Sequence, residues 1–256
     1  MNNSRKILRR MGYLRDQEGI MNRYLRERDR WDDHLEKTRA FINGSFELLS
    51  AESVAVLGSG WLLDVPLREL ESRFSRVYLV DIIHPPQVRK KTEAMDRVEL
   101  VEADLTGGAI SQVWKISRKK DCFSLDDFLH DLQLTPPLRG IRPGALISVN
   151  LLNQLDIILC DFLIKQGTFG NEPLDRFRSA LQSFHLEWIT RTPGCLVTDA
   201  TEKSSDNRGN ESFKPLLYTP LPDGIRTGQW SWEFDTQGTY RSGIRTSMKV
   251  QAVEWR

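Results

Sequence analysis

Residues 54–81 read VAVLGSGWLLDVPLRELESRFSRVYLVD, and this stretch decides the fold of the 256-residue chain. A β-branched run ends in Gly58-Ser59-Gly60, and a second apolar run ends in Asp81. Apolar residues at helical spacing lie between the two runs. The order of strand, glycine turn, helix, strand and acid is typical of a nucleotide-binding βαβ unit.

The residue types in this stretch suit a ligand that contains ribose. Glycines let backbone amides approach a ligand closely, and the start of a helix offers unpaired N–H groups. Asp81 lies about 20 residues beyond the glycines, where an acid accepts hydrogen bonds from a ribose diol. The alternatives are a plain tight turn for the glycines and, for Asp81, a cap on the turn at residues 82–84.

The rest of the chain alternates between predicted strands and helices. Besides those at 54–57 and 77–81, we predict strands at residues 98–101, 145–149, 195–199, 230–234 and 247–255. The predicted helices cover residues 62–74, 87–95, one or two stretches within 109–131, 152–165 and 173–189. Residues 201–228 are rich in Ser, Asn, Gly, Asp and Pro and are predicted to form a long loop.

This alternation predicts an α/β fold with a doubly wound, seven-stranded and mostly parallel sheet. No helix separates the last two strands, so we expect a C-terminal antiparallel hairpin. Residues 1–50 are charged and helical in pattern, and we predict an N-terminal helical extension or lid. Residues 51–256 would then form the Rossmann-like domain.

Two apolar patterns lie outside the nucleotide-binding unit. One stripe of the N-terminal helix consists of Trp31, Leu35, Thr38 and Ile42. A period-two pattern near the C-terminus consists of Trp230, Trp232 and Phe234. On a strand such a pattern indicates sheet core more often than a ladder for stacking bases.

Composition and charge exclude several classes of protein. The hydrophobic content of 39% and the charged content of 28% are typical of soluble globular proteins. The formal net charge of +1 argues against a nucleic-acid partner. The sequence has no apolar run of about 18 residues and no signal-peptide core, so we predict a cytoplasmic protein without membrane contact. Three widely spaced cysteines, Cys122, Cys160 and Cys195, are interpreted as buried thiols.

Motifs for metal binding and for other enzyme classes are absent from the sequence. The four histidines, His34, His84, His130 and His185, show no HExxH spacing, and the cysteines form no CxxC, so we predict no metal site. There is no GxSxG nucleophile elbow and no GxxxxGK[ST] phosphate loop. His84 is expected to pack in a loop, with a place near the bound ribose or base as the alternative, and His185 is expected at the surface or in an interface.

The order of these elements resembles that of the class I S-adenosylmethionine-dependent methyltransferases. In that family, five parallel strands precede a terminal antiparallel hairpin in a seven-stranded sheet. The first strand ends in a glycine-rich turn, as here in Gly58-Ser59-Gly60, and the second in an acid that holds the ribose hydroxyls, as in Asp81. The third is followed by an acid or amide beside the adenine, matched by Asp104, and the fourth ends at the ligand crevice, matched by Asn150.

The resemblance implies S-adenosylmethionine as the cofactor and methyl transfer as the reaction. The implied cofactor site consists of Gly58, Ser59, Gly60, Asp64, Asp81, Ile82, Asp104, Leu105 and Asn150. No catalytic residue is predicted, because this cofactor is already activated and the protein mainly positions the nucleophile. We expect a small-molecule acceptor, which the sequence does not identify, and the N-terminal helix and residues 201–228 are expected to cover it.

The sequence departs from the family pattern at two positions. Val56 stands where the family usually has an acid, and Leu62 stands where a third glycine is common. Asp64 could replace contacts of the missing acid, or it could simply stabilise the start of a helix. Asp104 could equally belong to an ordinary turn. No Asn/Asp-Pro-Pro-aromatic sequence follows the fourth strand, which argues against methylation of amino groups on bases or glutamine.

Two other functions compete with methyl transfer. A catalytically degenerate Rossmann-like module would explain Val56 and Leu62. A nucleotide-dependent oxidoreductase would use the same glycine turn, but the third glycine of GxGxxG would fall at Leu63. For the polar residues at other strand ends, Asn153 is a candidate helix cap, and Asp199 could act as a base or end its strand in solvent.

Overall fold

A computed structural model describes residues 2–47, 50–119 and 124–256. The helices within these ranges are α1 Asn2–Met11, α2 Tyr13–Ser45, α3 Leu67–Arg73, α4 Pro86–Thr92, α5 Ala109–Ile116, α6 Leu125–Asp131, α7 Gln154–Gln166 and α8 Asp175–Ile189. The strands are β1 Ser53–Leu57, β2 Arg76–Asp81, β3 Val98–Glu102, β4 Ala145–Val149, β5 Gly194–Ser205, β6 Glu211–Pro215, β7 Arg226–Asp235 and β8 Arg245–Trp255.

The strands form one mixed sheet in the order β3-β2-β1-β4-β5-β8-β7, with β6 paired to β5 outside this path. The first five strands of this path are parallel to one another, whereas β8 is antiparallel to both β5 and β7. This arrangement confirms the predicted doubly wound sheet with a C-terminal antiparallel hairpin. Strand β6 is an addition to the seven predicted strands.

The order of the parallel strands creates the crevice in which open α/β sheets bind ligands. The chain runs outward from β1 through β2 to β3, and then returns to the other side of β1 at β4. The loops after β1 and β4 therefore diverge at the carboxyl ends of these strands, which is a topological switch point.

The helix predicted at residues 62–74 is shorter than expected. Helix α3 begins only at Leu67, and the preceding Pro66 occupies its N-cap position. The helical conformation is disfavoured for a residue that precedes a proline, as Val65 does here. In addition, Leu62 has a φ of 58°, in the left-handed region. Both constraints keep residues 61–66 in an irregular turn.

The segment at residues 201–228 was predicted as a long loop, and that prediction is wrong in part. Strand β5 continues to Ser205, because β8 pairs with it from Gly194 opposite Trp255 to Ser205 opposite Arg245. Strand β6 then pairs antiparallel with the end of β5. The sequence pattern missed these strands because the end of β5 buries polar residues, Glu202 and Ser204, and β6 is exposed along its whole length.

The stretch predicted as one or two helices within residues 109–131 contains α5 and α6. Residues 120–123, including Cys122, lie outside the described residues. The other two cysteines, Cys160 and Cys195, are buried and unpaired, as the sequence indicates.

Helix α2 packs its apolar stripe against the antiparallel end of the sheet. Trp31 is buried against Trp232 and Phe234 of β7, with ring centroids 4.7 and 5.8 Å away. Leu35 and Ile42 belong to the same core cluster. This confirms that the period-two aromatic pattern is sheet core.

A kink divides α2 at Glu27, whose φ and ψ of −107° and 17° are not helical. The Glu27 carboxylate is buried and accepts hydrogen bonds from the backbone N–H groups of Thr236 and Gln237, at 3.1 and 3.2 Å. It also accepts one from the Thr236 hydroxyl at 2.8 Å. Glu27 thus fixes the middle of α2 to the turn after β7, and residues 13–26 extend beyond this fixed point.

The turn after β1 requires glycine at position 58. Gly58 has a φ of 78°, and a Cβ atom there would lie 2.9 Å from both the Val149 carbonyl oxygen and the Leu151 Cβ. Gly140 has a similar φ of 80°, but a Cβ atom there would have no neighbour within 4 Å.

We expect Gly58→Ala to lower the free energy of unfolding by about 2–4 kcal/mol, because a left-handed alanine and a steric clash add together. Gly140→Ala is the matched control and should cost only about 1 kcal/mol. Denaturant unfolding of the two variants measures the difference. Equal losses in both would contradict the close packing at Gly58.

Candidate functional site

A cavity with an empty volume of about 1100 Å³, including its opening to solvent, lies at the switch point of the sheet. We call it the crevice cavity. Its walls are the segments that follow β1, β2, β3 and β4, together with one face of α2 and Trp232 of β7. All nine residues of the site implied by the sequence line it, namely Gly58, Ser59, Gly60, Asp64, Asp81, Ile82, Asp104, Leu105 and Asn150.

The glycine turn is held against the next strand by backbone hydrogen bonds. The N–H groups of Gly58 and Ser59 both donate to the Val80 carbonyl, at 3.0 and 3.2 Å. Leu62, at the position of the family's third glycine, adopts the left-handed conformation that glycine favours. Its side chain is buried in the core, so apolar burial offsets the backbone strain.

Asp81 joins the turn after β1 to the turn after β2. Its Oδ2 accepts a hydrogen bond from the Gly60 N–H at 2.7 Å, and its Oδ1 accepts one from the Ile82 N–H at 2.7 Å. Burial raises the pKa of this carboxyl, and the backbone N–H groups of Gly60, Ile82 and Ile83, together with His84, act in the opposite direction. Because each carboxylate oxygen has two lone pairs, both remain able to accept a further hydrogen bond from a diol.

Asp104 belongs to a local turn, which is the alternative role that the sequence analysis gave for this residue. Its Oδ1 accepts hydrogen bonds from the N–H and the hydroxyl of Thr106, at 2.9 and 2.5 Å. Burial raises the pKa of Asp104, whereas these bonds to Thr106 lower it. Asp104 therefore stabilises its own turn and also lines the cavity.

Asn150 and His34 line the cavity, and each has a polar partner. Asn150 has a φ of 47°, and its Nδ2 donates to Asp64 Oδ2 at 2.6 Å. The Trp230 indole N–H donates to His34 Nδ1 at 3.0 Å, so the proton of the neutral His34 ring lies on Nε2. Burial lowers the pKa of His34 to about 3, which keeps the ring uncharged. The Asn150 Oδ1 is buried and has no hydrogen-bond partner within the described residues.

The charges on the cavity wall have one sign. Four aspartates line the cavity, namely Asp16, Asp64, Asp81 and Asp104. Among the described residues of the wall there is no lysine and no arginine. Burial raises the pKa of Asp64, in the same direction as for Asp81 and Asp104. The cavity therefore favours a ligand that brings positive charge.

Helix α2 contributes a part of the wall that the sequence did not assign. Its lining residues are Tyr13, Asp16, Gln17, Ile20, Trp31, His34 and Leu35. The Gln17 side chain donates to the Ile83 carbonyl at 2.9 Å, and the Trp61 indole donates to the Gln17 carbonyl at 2.7 Å. Only the stripe containing Trp31 and Leu35 was visible in the sequence, as a core pattern. No described residue of 201–228 lines the cavity, so that part of the expected cover is wrong.

Asp199 and Asn153 lie beside the cavity rather than on its wall. Asp199 is buried, which corrects the expectation that it could end its strand in solvent. Its carboxyl group is hydrogen-bonded by the Asn153 side chain, and burial raises its pKa to about 7. Asn153 occupies the N-cap position of α7 but its side chain makes no cap hydrogen bond.

Two of the histidines have structural roles. His84 is buried in the loop after β2, where its Nε2 donates to the Val101 carbonyl at 3.2 Å, as expected for loop packing. His185 was expected at the surface or in an interface, and this is wrong. It is buried, its Nε2 lies 2.9 Å from the Ser148 hydroxyl, and burial lowers its pKa to about 3. His185 thus turns this part of α8 toward β4.

Within the described residues, no group of three or more His, Cys, Asp or Glu side chains is arranged to hold a metal ion. In the same part of the chain, no helix combines the length and the apolar character that crossing a bilayer requires.

Comparisons with known proteins find similarity only among solved structures. No protein-family model matches the sequence, and no curated protein matches it. A DhpI–SAH complex is 12% identical, with 97% of each chain covered and a TM-score of 0.39. The 1,6-didemethyltoxoflavin-N1-methyltransferase of Burkholderia thailandensis, with bound 1,6-didemethyltoxoflavin and S-adenosylhomocysteine, is 12% identical over 93% of this chain and 87% of that chain, with a TM-score of 0.39. The 23S rRNA methyltransferase ErmE is 15% identical over 85% of this chain and 67% of that chain, with a TM-score of 0.30.

The buried Asp199 makes a testable contribution to stability. Its pKa of about 7 in the folded chain exceeds the value of about 3.9 for an unfolded aspartate. The folded state therefore binds more protons between these values, and the stability of the folded chain decreases as the pH rises through this window.

We expect Asp199→Asn to remove this dependence. Relative to wild type, the variant should gain about 3 kcal/mol in free energy of unfolding on going from pH 5 to pH 8. Asp96→Asn, at an exposed acid, is the control and should show no such gain. Denaturant unfolding at the two pH values measures both, and a pH-independent difference for Asp199→Asn would refute the assignment.

Proposed function

We propose that this chain binds S-adenosylmethionine in the crevice cavity and transfers its methyl group to a small-molecule acceptor. The observation that carries the proposal is the charge of the cavity wall, which has four aspartates and, among its described residues, no lysine or arginine. S-adenosylmethionine carries a sulfonium, an ammonium and a carboxylate group, and so brings a net positive charge to such a wall.

The same observation argues against a dinucleotide. A pyrophosphate carries two negative charges, and four aspartates on one wall would repel it. Leu63 occupies the position of the third glycine of a dinucleotide motif, where glycine lets the helix pack closely on the strand beside the pyrophosphate. S-adenosylmethionine has no phosphate and therefore tolerates both features.

The positions along the wall support an orientation for the cofactor. Asp81 would accept hydrogen bonds from the ribose hydroxyls, since both of its oxygens retain free lone pairs. The loops after β2 and β3 would hold the adenine, through Ile82, Asp104 and Leu105. The glycine turn, Asp64 and Asn150 would hold the methionine part, with Asp64 facing the ammonium group.

The proposed chemistry needs little from the protein beyond positioning. The cofactor supplies an activated methyl group, and the acceptor attacks it in line with the departing sulfur. The acidic wall favours a neutral or cationic acceptor over the phosphates of a nucleic acid. The wall also includes the largely apolar side chains of Trp31, Leu35 and Trp232, which suit a small molecule.

We also propose that residues 1–50 serve as the lid of residues 51–256. The part of α2 before the kink at Glu27 covers the cavity through Tyr13, Gln17 and Ile20. A catalytically degenerate module receives no support from the cavity, because the polar residues implied for the cofactor all line it.

Binding measurements at two pH values test the proposed ligand. S-adenosylmethionine should bind with micromolar-range affinity, about −8 kcal/mol, and NADH should not bind. The wall aspartates take up protons above the ordinary range because burial raises their pKa values. The affinity ratio of S-adenosylmethionine to S-adenosylhomocysteine should therefore fall as the pH is lowered from 7.5 to 5, because only the former carries a sulfonium.

Isothermal calorimetry measures both ligands on the same preparation. S-adenosylhomocysteine is the matched control, since it keeps the adenosine and the amino-acid group. A ratio that stays constant with pH would contradict the role of the acidic wall, and tighter binding of NADH would refute the proposed cofactor.

The role of Asp81 is tested by substitution. Asp81→Ala should weaken the binding of S-adenosylmethionine by about 1–3 kcal/mol, because the ribose diol loses its buried acceptor. Asp96→Ala, which removes an exposed acid, should leave the affinity unchanged. Circular dichroism verifies that both variants remain folded, and an unchanged affinity in folded Asp81→Ala would remove Asp81 from the site.

A further inference from the structure

The start of α2 places a tyrosine hydroxyl in the crevice cavity without a partner. Tyr13 is the first residue of α2 and follows Gly12, whose φ of 105° separates α1 from α2. The Tyr13 side chain lines the cavity, and its hydroxyl is buried with no hydrogen-bond partner among the described residues. A buried hydroxyl in this state destabilises the folded chain, because it has lost its bonds to water.

Asp104 lies close enough to act on this hydroxyl electrostatically. Burial raises the pKa of Tyr13 well above its ordinary value, and the nearby Asp104 carboxylate raises it further. The hydroxyl therefore stays protonated and is available as a donor. The carboxylate of Asp104 is an acceptor, held in place by its two hydrogen bonds to Thr106.

We infer that Tyr13 is a cofactor-binding residue, whose hydroxyl donates to a ring nitrogen of the adenine base while Asp104 accepts from the exocyclic amino group. This inference rests on the proposed function. Adenine presents an acceptor nitrogen beside an amino donor. The donor of Tyr13 and the acceptor of Asp104 match that pair, whereas hypoxanthine would place its 6-oxo oxygen against the Asp104 carboxylate.

The contact would couple cofactor binding to the position of the lid. Residues 13–26 lie beyond the kink at Glu27, which is fixed to the turn after β7. Two hydrogen bonds that involve Gln17 hold this segment against the loops after β1 and β2. A bond from Tyr13 to the base adds a further link, so that the lid closes more firmly when the cofactor is bound.

Tyr13→Phe separates a ligand-binding role of the hydroxyl from a structural role. A structural role predicts that the variant is less stable without cofactor, whereas a ligand-binding role predicts equal or higher stability. If the hydroxyl serves the ligand, its removal relieves an unpartnered buried group. The melting temperature without cofactor should stay the same or rise by about 2 °C. The affinity for S-adenosylhomocysteine should nevertheless fall by about 5- to 30-fold.

Tyr24→Phe is the matched control. Tyr24 lies on the same helix, packs against Trp31 with ring centroids 5.9 Å apart, and is not part of the cavity wall. Its variant should bind S-adenosylhomocysteine as the wild type does. A second ligand tests the base itself, since the wild type should bind S-inosylhomocysteine at least tenfold more weakly than S-adenosylhomocysteine.

Calorimetry and thermal melting on the full chain give the decisive outcomes. Weaker binding by Tyr13→Phe, with unchanged or increased stability, supports the inference. Equal affinity of Tyr13→Phe and wild type, or a lower melting temperature with unchanged affinity, overturns it while leaving the proposed function intact. Failure of the wild type to bind S-adenosylhomocysteine overturns both together.

Discussion

The close approach of two strand ends at the switch point is the constraint on which the rest of the site depends. The turn after β1 packs against the end of β4 so tightly that a Cβ atom on Gly58 would lie 2.9 Å from the Val149 carbonyl oxygen. On the opposing side, Asn150 itself leaves β4 in a left-handed conformation. This geometry directs the polar side chain of Asn150 toward Asp64, and a hydrogen bond of 2.6 Å joins the two. Backbone strain at such positions persists only where the surrounding packing enforces it.

The residues that follow the parallel strands could be predicted from the sequence, because the carboxyl ends of such strands meet at one edge of a sheet. Asp81, Asp104 and Asn150 line one cavity for this reason. The contribution of α2 could not be predicted, because helical periodicity identifies a buried face without identifying what covers it. Tyr13 and His34 therefore reach the cavity from a segment that the pattern marked only as a lid.

The electrostatics of the cavity connect its stability to its chemistry. Burial raises the pKa values of Asp64, Asp81 and Asp104, so ionised carboxylates are costly there without a counter-charge. No described lysine or arginine lies on the wall, and the charge of Arg39, which lowers the pKa of Asp64, does not offset the effect of burial. A cationic ligand would supply the counter-charge, and the free energy released would appear as affinity. The same aspartates therefore destabilise the folded chain when no ligand is bound and select a cationic ligand when one is present.

Some of the buried polar atoms without a partner lie on the wall of the cavity. In folded proteins nearly all buried donors and acceptors have partners, so exceptions require an explanation. Four of them belong to residues of the cavity wall, namely the Tyr13 hydroxyl, the Ser59 hydroxyl, the Asn150 Oδ1 and the Trp232 indole N–H. They belong to α2, the glycine turn, the end of β4 and β7, which are separate elements of the fold. A ligand that contacts all of these elements would satisfy such groups together, and its binding would hold the lid and the hairpin against the crevice.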